Sequence, residues 1–141
     1  MTRLVLDTDV VLAAFLSDAG ASRQLLLDAL DAKFSLLLAV PLLLEYEAVL
    51  SRPQHLAAAR LSQRDVIDVL DELAGVCVPV AFDFRWRPSG ADKDDELVIE
   101  TAINGQADMI ATFNIRHMRT ACEAFGIVAE RPAPCLQRIR A

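Results

Sequence analysis

The sequence predicts an α/β domain, a three-layer α/β/α sandwich built on a mostly parallel sheet. Three observations carry this. Short, wholly apolar runs alternate with helix-patterned segments, as expected for strands joined by helical crossovers. Those runs lack the in–out alternation of a half-exposed sheet, so they read as strands buried on both faces. The chain has 141 residues, 54% of them hydrophobic, which suits one well-filled core and a single domain over residues 1–141.

The elements follow in order. Arg3 to Leu6 is an apolar run that ends in Asp7, a buried strand with an acid at its carboxyl end. Val10 to Leu16 is helix-compatible, and Ser17 to Ala21 is a turn. Ser22 is placed to cap a helix that aligns Leu25, Leu26, Ala29 and Leu30. Phe34 to Val40 reads as the second strand. Pro41 then opens a helix that runs to about Leu50 and stops before Pro53. A short helix fits Gln54 to Ala59. Ser62 with Asp65 three residues later forms a helix-opening pair, and Gly75 is expected to end that helix. Val76 to Val80 reads as strand and Asp83 to Ala91 as loop. Asp94 and Asp95 open a helix closed by Asn104-Gly105. Met109 to Ala111 is a fourth strand, followed by a short helix near His117 to Cys122, a strand at Ile127-Val128 and a tail or helix from Pro132.

The net charge of −6 argues against general nucleic-acid binding, which needs a basic excess, unless several acids converge on divalent cations. Cys77, Cys122 and Cys135 are odd in number and form no C-x-x-C pair, so they read as reduced, mostly buried thiols. The N-terminus reads as a strand rather than a signal peptide, and the run Leu36 to Leu44, broken by Pro41, is too short to span a bilayer. A soluble, cytoplasmic protein is the expectation.

In parallel sheets ligands bind beyond the carboxyl ends of the strands. Asp7 and the segment Thr112-Phe113-Asn114 both fall at such ends. Asp7 is either a ligand-facing acid or a turn and cap residue, and Asp9 reads equally as a local cap. Glu45 stands at the edge of an apolar helical stripe and must find water, a cation or a hydrogen bond. The run Asp92-Lys93-Asp94-Asp95-Glu96 opens a helix, where acids cap free N–H groups and can also bind metal. Acids without histidine or cysteine partners suit hard ions, Mg2+ or Mn2+, better than zinc. Two such ions, roughly 3.5–4 Å apart, can support phosphodiester hydrolysis.

Four stretches together resemble the PIN-domain family. Leu4-Val5-Leu6-Asp7-Thr8-Asp9-Val10 is similar to its strand-D-T-N-V opening. Pro41 to Tyr46, followed by Val49 to Pro53, resembles its second acidic segment. Asp92 to Glu100 resembles its D-P-D-D-D segment, and Ala107 to Asn114 its A-D-hydrophobic-T-x-D/N strand. The resemblance covers nearly the whole chain, and its nearest subgroup is the VapC-type toxins of toxin–antitoxin pairs. It implies a metal-dependent endoribonuclease acting on single-stranded RNA and leaving a 5′-phosphate, with a cognate antitoxin and a homodimer as partners. The acids carried over are Asp7, Glu45 and Asp95, with Asp94 competing for the third place. Asn114 takes the fourth position, and Thr112 helps position these groups or the phosphate. Arg85, Arg87, Lys93, Arg116 and His117 are candidates for gripping the backbone, and Trp86 for stacking on a base or for packing.

Two positions depart from the family pattern. Asp9 replaces the usual Asn, which leaves open stronger metal binding, a raised neighbouring pKa or an outward orientation. The neutral Asn114 lowers the charge of the site. Two other readings compete with the nuclease. Asp7-Thr8-Asp9-Val10 also fits the D-x-D-x signal of haloacid-dehalogenase-like phosphatases, although the chain lacks a later G-D-x-x-x-D segment. A non-catalytic module that keeps the fold to hold a partner is the other.

Overall fold

The computed structural model describes residues 1–83 and 93–141, without the side chains of Lys93 and Asp94. The expectations for Arg85, Trp86, Arg87 and Asp92, and for the side chains of Lys93 and Asp94, lie outside the described residues.

The strands are β1 (Arg3–Leu6), β2 (Ser35–Leu38), β3 (Val78–Pro79), β4 (Met109–Ala111) and β5 (Val128–Glu130). They form one sheet in the order β3-β2-β1-β4-β5, and every pairing is parallel. β1, β2 and β4 are almost wholly buried, which explains their unbroken apolar sequences. Between β1 and β2 come α1 (Thr8–Leu16) and α2 (Ala21–Leu30). Between β2 and β3 come α3 (Val40–Leu50), α4 (Pro53–Ala59) and α5 (Gln63–Val76). α6 (Lys93–Asn104) leads into β4, and α7 (Ile115–Cys122) joins β4 to β5. α8 (Pro132–Arg140) closes the chain against α2.

The chain steps from β1 to β2 to β3 in one direction, then returns to place β4 on the other side of β1. Right-handed crossovers therefore put α1–α5 on one face and α6 and α7 on the other. The reversal leaves a crevice at the carboxyl ends of β1 and β4, where open α/β sheets take their ligands. The register pairs Leu6 with Ala111, so Asp7 and Thr112 emerge side by side there.

Several element ends differ from expectation. α2 begins at Ala21 with Gly20 at the cap, and Ser22 is buried in its first turn. Gly20 holds an extended backbone at φ −79°, ψ 165°, which suits glycine at a cap. α5 runs through Gly75 to Val76. The cost of a helical glycine, about 1 kcal/mol, is outweighed by the Ser62–Asp65 capping box and by burial of Val66, Leu70 and Leu73. β3 shrinks to two residues because Pro79 has no N–H for a ladder, which confines it to the sheet edge. β2 ends at Leu38 because Val40-Pro41 already belongs to α3.

Gly105 closes α6 for a steric reason. A Cβ there would stand 2.9 Å from both Leu37 Cδ1 and the Thr101 carbonyl oxygen. The left-handed turn that follows is taken by Gln106, at φ 54°. Gly105 also offers its carbonyl to the Arg3 guanidinium at 2.7 and 3.1 Å, tying the end of α6 to the start of β1.

Candidate active site

Asp7 occupies the cap position of α1, yet its side chain makes no capping bond. It instead receives the Thr112 hydroxyl on Oδ2 at 2.6 Å, across the β1–β4 crevice. Its backbone N–H donates to the Ala111 carbonyl at 2.9 Å, which extends the strand register by one residue. The carboxyl is only 5% exposed. Burial pushes its pKa up to about 8; Asp9 and then Asp95 add to this, and the Thr112 hydrogen bond opposes it.

Asp9 sits in the first turn of α1. Its Oδ2 accepts the Phe113 N–H at 3.1 Å, and its Oδ1 is buried without a donor among the described residues. Burial raises its pKa, with Asp95 contributing. The Asp9 carboxyl lies against that of Asp7, a contact that is a hydrogen bond only while one of them holds a proton.

Asp95 comes from the first turn of α6 and is 8% exposed. It accepts the Asn114 amide at 2.9 Å, and the Asn114 backbone N–H donates to the Thr112 hydroxyl at 2.9 Å. Thr112 is fully buried, and its hydroxyl proton is committed to Asp7. It therefore positions Asp7 and the α7 turn and has no surface to offer a substrate. Asn114 holds Asp95 as a neutral donor, where a carboxylate would repel it.

Glu45 takes a different place. Its Oε2 accepts the Thr8 hydroxyl at 2.5 Å, so it stands one residue behind Asp7 on α3. Next to it, the fully buried Tyr46 donates its hydroxyl to the Leu6 carbonyl, the last residue of β1. Burial, then the charges of Asp7 and Glu45, hold the Tyr46 phenol well above its usual range. Tyr46 reads from the sequence as one more apolar stripe residue, whereas the structure makes it a support for the strand end that carries Asp7.

Of these groups, Asp7, Thr8, Asp9, Asp95 and Asn114 line a cleft of about 340 Å³, whereas Glu45, Tyr46 and Thr112 lie outside its lining. Arg52 and His55 stand in the same lining as Asp7, Asp9 and Asp95. Neither of those two is among the residues the sequence singles out for backbone contact. The only signal for them is a pair of cations at a proline-marked helix break just after the Glu45 helix. Arg52 caps α4, and the His55 imidazole bonds the Val49 carbonyl through Nδ1 at 2.7 Å. A carbonyl only accepts, so Nδ1 carries the proton. Arg116 and His117 are exposed on α7 and do not line the cleft.

The donor set suits a hard cation. It consists of oxygens, and no described cationic side chain pairs with Asp7 or Asp9. The orphaned Asp9 Oδ1 requires a proton, a water or an ion. Among the described residues no group of three or more His, Cys, Asp or Glu side chains is arranged to hold an ion as it stands.

A parallel α/β sheet with acids gathered at its switch point defines the class: an α/β fold with an acidic cleft where such sheets take their ligands. The PIN-domain family model matches residues 3–116, and the chain belongs to the PIN-domain family. PIN domains are generally nucleases, typically use divalent metal ions and act on RNA. No curated protein and no solved structure matches the chain significantly.

Proposed function

We propose that this PIN domain is a divalent-cation-dependent endoribonuclease that hydrolyses single-stranded RNA and leaves a 5′-phosphate. One observation carries the reading: the switch-point cleft gathers Asp7 and Asp95, with Glu45 behind Thr8, and sets Arg52 and His55 beside them. Asp7, Glu45 and Asp95 are the residues that would hold Mg2+ or Mn2+. Bound there, up to two such ions would supply positive charge for the phosphate and acidify an attacking water. The protein's own part is positioning. Thr112 orients Asp7, Asn114 orients Asp95, and Thr8 orients Glu45. Arg52 supplies donors for phosphate oxygens, and His55, whose Nδ1–H is held by the Val49 carbonyl, adds a donor at Nε2 only as the imidazolium. Phe113, exposed between Thr112 and Asn114, offers a ring face to a flanking base.

Purified protein is expected to cut single-stranded RNA only when Mg2+ or Mn2+ is present. Asp7→Asn, Glu45→Gln and Asp95→Asn are each expected to abolish cutting while circular dichroism stays native. Cutting at the wild-type rate in all three variants would refute the assignment. A folded protein that neither cuts RNA nor binds either metal would favour the non-catalytic module. Membership of the PIN family removes the ground for the phosphatase reading of Asp7 and Asp9.

On the motif resemblance, we assign the enzyme to the toxin half of a toxin–antitoxin pair, acting in the cytoplasm as a homodimer. Expression alone should then arrest growth. Asp7→Asn should remove the arrest, and the product of the adjacent gene should relieve it. Among the described residues no single helix is long and apolar enough to cross a membrane.

A further inference from the structure

We propose that Asp9 is an additional oxygen donor to the divalent-cation site, placed so that one carboxylate serves both the ion and the end of β4. The inference rests on the nuclease reading above and adds a residue to its site. Asp9 Oδ2 is fixed by the Phe113 N–H at 3.1 Å, which also fixes where Oδ1 lies. Oδ1 is buried and has no donor among the described residues, a costly state for a carboxylate oxygen. Asp9 lines the same cleft as Asp7 and Asp95.

Helix capping does not account for this oxygen, because the α1 N-terminus carries no side-chain capping bond. A water would satisfy the lone pair and leave the negative charge standing between two other carboxylates. In the metal-free protein a proton shared with Asp7 satisfies the oxygen and removes one charge; a divalent cation takes the place of that proton and neutralises both carboxylates. Asn114, across from Asp9 on the same cleft, has its amide turned to Asp95 as a donor, so that side adds no charge. The negative charge beside Asp7 comes from Asp9. An ion held by Asp9 would therefore be coupled, through Phe113, to the strand end that carries Thr112 and Asn114.

The test is Mn2+ titration by calorimetry on RNA-free protein, with the loss of the free-ion paramagnetic signal as a second readout. Asp9→Asn keeps an oxygen for the Phe113 N–H and removes only the charge. It is expected to fold normally, to be at least as heat-stable as wild type without metal, and to bind Mn2+ at least about tenfold more weakly. Asp71→Asn removes the same charge from the exposed face of α5 and is expected to bind as wild type does. Equal Mn2+ affinity in Asp9→Asn and wild type would overturn the role of Asp9 and leave the nuclease reading intact. So would equal weakening in Asp9→Asn and Asp71→Asn, since that is net charge alone. Absence of Mn2+ binding by the wild-type protein would overturn both.

Discussion

At the scale of single residues, Asp7 carries the sharpest consequence. Its carboxyl is raised from the ordinary 3.8 to about 8, first by burial and then by Asp9. Between those two values the folded protein holds a proton that the unfolded chain has released. Stability of the metal-free protein therefore falls as pH rises across that window and levels off above it. The melting temperature of metal-free wild type is expected to drop between pH of about 4 and about 8, and the drop should be smaller in Asp7→Asn. Divalent cations favour the ionised form, so their affinity should rise over the same window. A melting temperature with the same pH profile in both proteins would remove Asp7 as the source. Tyr46 acts at the same scale by chemistry its apolar surroundings conceal. Tyr46→Phe deletes one buried hydrogen bond and leaves the Leu6 carbonyl without its donor, an expected loss of about 1–3 kcal/mol in urea unfolding.

At the scale of elements, the break between α3 and α4 matters most. Pro53 starts α4 afresh, Arg52 becomes its cap, and the packing of α4 on α1 carries Arg52 and His55 to the acid-lined cleft. Arg52→Ala is expected to weaken RNA binding and to reduce the slope of log affinity against log salt by about 1, measured with Ca2+ to block cutting. An unchanged slope would mean that Arg52 meets no phosphate. The junction after α6 is set by packing instead of charge. Gly105→Ala pushes a methyl group against Leu37 and the Thr101 carbonyl, with an expected cost of about 1–3 kcal/mol and a lower melting temperature. The same substitution at Gly75, where nothing lies within 4 Å, should be neutral or stabilising.

At the scale of the whole molecule, the order of the strands decides where chemistry is possible. β1 lies at the centre of the sheet, and only β4, arriving from the far side, can bring Thr112 within reach of Asp7. α2 and α8 are tied at the periphery by two hydrogen bonds, each 3.1 Å, between Arg140 and the buried Asp28. That tie lies on α2 and α8, whereas the cleft is lined from α1, α3, α4, α6 and the β4 end. Asp28→Asn should lower the melting temperature and leave Mn2+ affinity unchanged; a matching loss of affinity would show that the periphery and the cleft are coupled.

The apolar runs, the helix-opening Ser62–Asp65 pair and the acid closing β1 were all legible in the chain, because hydrophobic period and capping act between near neighbours. So was the line of acids, since each stands at the end or start of a recognisable element. The chain alone could not decide what those acids touch. Thr112 is 105 residues from Asp7, Asn114 is 19 from Asp95, and Thr8 is 37 from Glu45. Burial of Asp7, the orphaned oxygen of Asp9 and the arrival of Arg52 and His55 depend on how whole elements are stacked. Only the tertiary structure fixes that, because desolvation and charge coupling act through space between segments that local pattern cannot relate.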